Sequence, residues 1–204
     1  QLPPDIRECS LGISVFKSIS LPWYHSDISL SLLTRLLVRR FLFSKDQLKL
    51  IVNSIIVCKL DYCNALYYGI NDYLINQLQL IQNAAAKAIV GLYKHDHLGN
   101  TLKELHWLPI CYRIKFKVLL LVYKCLNGMG PEYLCSMFKF ANFNHFIYLI
   151  EPRVLSHYGE RSFQRVGPKL WNELPLDIKS CTTIDSFKAC LKTFLFKQAF
   201  DFSS

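Results

Sequence analysis

The sequence predicts a mainly α protein: an irregular multi-helix bundle with a ragged N-terminal segment and a smaller helical C-terminal part. Three observations carry that expectation. Apolar residues recur at steps of three and four, as at Leu74, Leu78, Ile81, Ala85, Ile89 and Leu92. The periodic stretches open on capping residues and close on glycine, as at Asn71 and Gly91. An apolar content of 51% in 204 residues is enough for a sizeable core and argues against disorder.

Taken in order, residues Gln1 to Trp23 hold three of the eight prolines and no helical period, so 1–24 is read as a ragged end with a short strand-like run, Leu11-Gly12-Ile13-Ser14-Val15-Phe16. The chain opens on Gln1 and its first methionine is Met129, which leads to the expectation of a piece of something longer. From Asp27 the pairs Leu32/Leu33 and Leu36/Leu37, then Phe41, outline a helix whose other face carries Arg35, Arg39 and Arg40. Arginines one turn apart can meet adjacent phosphates, or simply keep an outer face wet.

Ser44-Lys45-Asp46-Gln47 has the spacing of a capping box, with Phe43 and Leu48 placed as a hydrophobic staple. Ile51, Val52, Ile55 and Ile56 then predict one buried helix face. Leu60 to Gly69 is aromatic and, after Asp61, uncharged, so packed core is expected there. Asn71 and Asp72 begin the next helix, whose alanines at Ala84, Ala85, Ala86 and Ala88 would let a neighbour approach closely. Gln77, Gln79, Asn83 and Lys87 point away from its apolar stripe.

His95-Asp96-His97 offers two imidazoles to a metal, but no Cys-x-x-Cys pair supplies further ligands, and loop polarity or helix capping explains the triplet as well. Thr101 to Leu105 reads as a short helix with Trp107 plugging the core. Pro109 suits the first turn of a longer helix running to Asn127, with Gly128 past its end. This helix is apolar nearly all round, and its charged residues, Arg113, Lys115, Lys117 and Lys124, include no carboxylate. Arg113, Lys117 and Lys124 share one line, predicted to be its only wet side, with Tyr112 and Tyr123 nearby. Such a stripe suits a nucleic-acid backbone. Snorkelling from a buried helix gives the same pattern.

Residues 141–152 are the expected linker between a helical domain over 25–140 and a helical C-terminal segment over 153–204. Glu160 to Glu173, bearing Arg161, Arg165 and Lys169, reads as a helix interrupted at Gly167-Pro168, because proline lacks an amide and restricts the residue before it. Thr182 to Asp185 offers a second capping box before Phe187, Leu191 and Phe194.

A formal charge of +9 invites a polyanion, either RNA or DNA. The longest apolar run, Val118 to Tyr123, is far short of the ~20 residues that cross a bilayer, and no secretory signal pattern occurs at the start, so no membrane association is expected. Eight cysteines without paired spacing read as thiols in a reducing, intracellular compartment, nucleus or cytoplasm. Phosphate-loop and serine-elbow motifs are missing, and no cofactor is expected.

Several blocks occur in a set order: Leu60-Asp61-Tyr62-Cys63-Asn64-Ala65-Leu66, Leu80 to Ala86, Leu105-His106-Trp107-Leu108-Pro109, Tyr123-Lys124-Cys125-Leu126-Asn127-Gly128, Pro131-Glu132-Tyr133-Leu134, Tyr158 to Phe163, Gly167 to Pro175, Phe187-Lys188 and Leu191 to Phe196. Together they resemble the region after the polymerase core in the reverse transcriptases of non-LTR, LINE-type (Jockey-like) retrotransposons. The segment 138–150 departs from that family's pattern, which is longer and more basic there. Leu11-Gly12-Ile13 resembles the last strand of such an enzyme's palm. The resemblance implies a thumb and post-thumb region that holds a template-primer duplex beside palm and fingers carried upstream. The metal-binding aspartates are expected there too, since this sequence has no Asp-Asp to hold two metal ions. Charge placement nominates Arg35, Arg39, Arg113, Lys117, Lys124, Arg161, Arg165 and Lys169 for phosphates, gathered along one groove. On its own the chain is then not an enzyme. The alternative is a non-enzymatic helical scaffold, a domesticated or inactive remnant of such an element.

Overall fold

The computed structural model describes residues 42–91, 99–143 and 146–200. The ragged end at 1–24, the arginine-bearing helix from Asp27 and the His95-Asp96-His97 loop lie outside the described residues. Those that are described are mainly α, with one two-stranded antiparallel hairpin. The chain divides into two compact units, one running to Tyr62 and resuming over Asn71–Ile110, the other made of Cys63–Ile70 and Cys111–Ser204. In sequence the division falls between Ile110 and Cys111, and the turn at 63–70 groups with the second unit.

In the first unit α1 (Lys45–Val52) begins as its capping box predicts: Ser44 Oγ accepts from the Gln47 amide at 3.3 Å, and the Ser44 amide donates to Gln47 Oε1 at 3.0 Å. The helix widens into a π turn (Asn53–Val57) before α2 (Cys58–Asp61). Leu48, Val52, Ile56 and Leu60 are buried, each four residues after the last. In a regular helix that step drifts by about 40°. The wider π turn slackens the winding and keeps the later two on the same seam. Ile51 and Ile55, predicted for the buried face, are therefore only half-buried.

Helix α3 (Asp72–Val90) starts where Asn71 Oδ1 accepts from the Tyr73 amide at 2.9 Å, and it stops at Gly91, whose φ of 76° only glycine adopts cheaply. Ala85 and Ala86 are fully buried, and both α1 and the short α4 (Gly99–Glu104) pack on α3. Leu102, Leu105, Trp107 and Leu108 complete this core.

The aromatic stretch after Leu60 is not packed core. Tyr62 is 62% and Leu66 78% exposed. Cys63 takes a left-handed conformation with φ of 50°, and Asn64–Tyr67 is a 3₁₀ turn. Such a turn spreads successive side chains around three directions instead of massing them on one face.

The second unit is organised on α5 (Ile110–Leu126) from Cys111 on, the helix's first residue, Ile110, belonging to the first unit; α5 begins one residue after Pro109 and not around it. It ends in a Schellman turn: Met129 N–H donates to the Lys124 carbonyl at 2.8 Å and Gly128 N–H to the Cys125 carbonyl at 3.3 Å, with Gly128 left-handed at φ 67°. Short turns α6 (Glu132–Cys135) and α7 (His157–Glu160) flank the hairpin of β1 (Phe140–Phe143) and β2 (Phe146–Leu149), in which Phe140 pairs with Leu149. Then come α8 (Phe163–Asn172), the single turn α9 (Leu176–Lys179) and α10 (Ile184–Phe200).

Hydrogen bonds and rings fix α10 antiparallel along α5. Near the start of α5 the Tyr112 hydroxyl donates to the Gln198 carbonyl at 3.2 Å; near its end the Tyr123 hydroxyl donates to the Cys181 carbonyl at 3.0 Å. The Tyr123 ring stacks on Phe187 at 4.1 Å, and Trp171 reaches Phe187 at 6.0 Å. Tyr123, Phe187 and Trp171 are all at most 1% exposed, and burying each contributes about 2–3 kcal/mol.

In several places this unit differs from the sequence expectation for identifiable reasons. Helix α8 runs unbroken through Gly167 and Pro168. The proline forfeits one amide bond, and the residue whose carbonyl would have received it, Gln164, is exposed. Gly167 supplies close approach: a Cβ there would lie 2.9 Å from Phe138 Cε1 and 3.0 Å from Val122 Cγ2. The expected linker at 141–152 contains most of the hairpin, which is tied down. Asn172 brackets Leu149, donating from Nδ2 to its carbonyl at 2.9 Å and accepting at Oδ1 from its amide at 3.1 Å, as a third strand would. The cap of α10 is also shifted by one: Thr183 Oγ1 accepts from the Ser186 amide at 3.2 Å, and Asp185 pairs with Lys188 instead of closing a box with Thr182.

Candidate nucleic-acid interface

The longest basic row described lies on α5. Its helix is launched by a side chain: Gln79 Oε1 accepts from the Ile110 amide at 2.9 Å, satisfying an orphan donor of the first turn. Gln79 is held in turn by Gln82 Oε1 at 2.9 Å and Asn83 Oδ1 at 2.8 Å, and the fully buried Gln82 donates to the Leu108 carbonyl at 2.8 Å. Apolar periodicity does not report this network. Its signal was three amide side chains within five residues of one helix.

At 100° per residue, Arg113, Lys117 and Lys124 fall within about 40° of arc and span about 16 Å of α5. All three are half-buried. The row is not the only partly wet side of the helix, since Lys115, Phe116, Leu121 and Leu126 are half-buried elsewhere around it, and Leu120 sits within the row. Among the described residues neither Lys117 nor Lys124 has an ion-pair partner.

The tyrosines predicted to accompany the row are turned to other work. Tyr123 is 1% exposed inside the second unit's core, and burial holds its hydroxyl pKa above the ordinary range. Tyr112 spends its hydroxyl on Gln198, and Lys115 Nζ stands 5.3 Å from its ring centroid.

Around α8 the arrangement differs. Arg161 donates from Nη1 to the Gly69 carbonyl at 3.3 Å, and Arg165 forms an ion pair with Glu151. Lys169 is exposed, one turn beyond Arg165. Both Arg165 and Lys169 lie about 160° around α8 from Gly167. Gly167 is the residue pressed on Val122, and Val122 is itself about 140–180° from the α5 row. The two basic sets thus face away from each other across the α5–α8 contact. The structure does not gather them along one groove, as the sequence led us to expect. Arg35 and Arg39 lie outside the described residues.

Elsewhere, burial lowers the pKa of Lys59 and of Lys179, whose Nζ donates to the Asn172 carbonyl at 3.1 Å and stands 5.8 Å from the Tyr148 ring. Among the described residues no group of histidine, cysteine, aspartate and glutamate side chains could hold a metal ion. None of their helices is long and apolar enough to cross a membrane.

No protein-family model, curated protein or solved structure matches this chain.

Proposed function

We propose that this chain is a nucleic-acid-binding helical region of a retrotransposon-type RNA-directed DNA polymerase, one that grips template and primer beside an active site carried by other residues. The observation that carries the reading is the α5 row: three cations within a narrow arc, on a helix with no carboxylate. Cations spaced over about 16 Å suit successive phosphates, and the net charge of +9 supplies the long-range attraction. The ordered sequence blocks that resemble the region after a LINE-type polymerase core support the parentage. The absence of Asp-Asp from the sequence fits a role in holding, not in chemistry.

The test is RNA binding across a salt series with the full chain. Affinity should fall log-linearly with salt, and Arg113→Glu with Lys117→Glu should weaken binding by roughly tenfold or more while the circular dichroism is kept. Unchanged affinity in the double variant removes the row from the interface.

A second reading, a non-enzymatic helical scaffold, is favoured by one observation: Arg161 and Arg165 are engaged by groups of this same chain. A scaffold predicts no salt-dependent complex with RNA or DNA at all.

A further inference from the structure

The exit turn of α5 brings two thiols together. After Cys125 the chain turns through left-handed Gly128, passes Gly130 and Pro131, and comes back as α6, where the Cys135 amide donates to the Pro131 carbonyl at 3.1 Å. Gly130 is the pivot. A Cβ built on it would lie 2.9 Å from Cys125 Sγ, 3.2 Å from Cys125 Cα and 3.3 Å from Cys135 Sγ, so both sulfurs border the one small space its missing side chain leaves. Cys135 Sγ lies 3.5 Å from the Gly130 carbonyl. Cys125 is buried at 7% exposure and Cys135 is half-buried. Burial, with the neighbouring Cys135 sulfur adding to it, pushes the Cys125 thiol up to about 11. In the sequence the pair is hidden, because nine residues separate the two cysteines and only the glycine-proline turn folds one back on the other.

We propose that Cys125 and Cys135 are a redox pair that closes to a disulfide in the presence of a disulfide-class oxidant such as oxidised glutathione, covalently fixing the end of α5 to α6. Cys135, the more accessible sulfur, attacks as its thiolate. One sulfur–sulfur bond forms to glutathione, the oxidant's own bond breaks, and one glutathione thiolate leaves and takes up the proton that Cys135 gave up. Cys125 Sγ then loses its proton and attacks the Cys135 sulfur, expelling the second glutathione thiolate, which is protonated. Two protein thiols are oxidised and one glutathione disulfide is reduced to two thiols. Burial of Cys125 shields it from direct attack by a tripeptide disulfide, which sets the order of the two steps.

The experiment treats the folded 204-residue chain with oxidised glutathione at mildly alkaline pH, quenches with acid, blocks free thiols and maps peptides without reduction. The expected product joins the Cys125 and Cys135 peptides, with two thiols per chain lost from those positions and no glutathione retained there. In Cys125→Ala the reaction should stop at a glutathione adduct on Cys135. In Cys135→Ser, Cys125 should stay unmodified. Gly130→Ala keeps both thiols but puts a methyl between them, so the cross-linked fraction should fall and the Cys135 adduct should rise. The proposal is overturned if Cys125 and Cys135 both stay reduced while exposed Cys58, Cys63 or Cys190 takes up glutathione. It is equally overturned if the Cys135 adduct is as abundant in the native chain as in Cys125→Ala.

Discussion

Arg113, Lys117 and Lys124 rise along one side of α5, whereas Arg161, Arg165 and Lys169 follow at four-residue steps from the turn before α8 into its middle. In the sequence both read as sets of three cations, but their surroundings set them apart. The α8 row is largely spent at home: Arg161 reaches back to the Gly69 carbonyl, and Arg165 meets Glu151, a carboxylate supplied by the chain just after the hairpin. The α5 row has no acid on its own helix, and two of its three cations have no ion-pair partner among the described residues. Spacing tells which cations can line up. What the rest of the fold brings near them decides which are left to meet a ligand.

The largest effect expected from breaking that contrast is at Gly69. Its φ of 72° is one that an alanine adopts only with strain, and a Cβ there would stand 2.6 Å from Arg161 Cγ and 2.9 Å from Cδ. Gly69→Ala should cost about 2–4 kcal/mol in urea unfolding, through left-handed strain and overpacking together. Since Arg161 is anchored to this turn, RNA affinity at fixed folded concentration should not change. A rise in affinity would mean that the anchor withholds Arg161 from a ligand.

Second in size is the charge reversal at Arg113 and Lys117, with its roughly tenfold or greater loss of RNA affinity. The informative control is the same reversal at Arg165 and Lys169, which should leave affinity nearly unchanged. Equal losses from both pairs would erase the distinction between the rows and point to the diffuse charge of the chain.

Much of the fold was legible because its signals are local. Ser44 and Gln47 are three residues apart, Asn71 caps its own helix, and Gly91 and Gly128 end theirs through backbone geometry that few other residues adopt. Distant events were not. The bond from Arg161 to Gly69 spans 92 residues, and no pattern around either residue reports the other. The same holds for Asn172, whose amide turns a supposed linker into a bracketed hairpin, and for Gln82, a polar residue buried because Leu108 offers it a carbonyl. Pro168 is tolerated inside α8, where the bond it forgoes would have gone to the exposed residue Gln164. At the candidate site the row itself was legible from a period of 3.6, but the engagement of Tyr123 in the core depended on Phe187 and Cys181.

A smaller effect separates stability from binding at Arg165. Its ion pair with Glu151 is about one-third exposed on each side, at 31% and 33%, so solvent screens it. Arg165→Gln should therefore lower stability by only about 0.5–1 kcal/mol, measured by urea midpoint at constant slope. RNA affinity should stay within error of the native chain, because this guanidinium is already answered by a carboxylate.

The finest test is Lys124, the last cation of the α5 row. If it meets one phosphate, Lys124→Gln should lower the slope of log affinity against log salt by about one, with a uniform loss across RNA sequences. Lys124 enters the Schellman turn through its backbone, where the carbonyls of Lys124 and Cys125 are taken by Met129 and Gly128, so the helix end does not depend on its side chain and stability should hardly move. An unchanged slope alongside a lowered slope for the Arg113 and Lys117 variants would shorten the contact to the first half of α5. An unchanged slope in all three would leave the row a solvated edge and favour the scaffold reading.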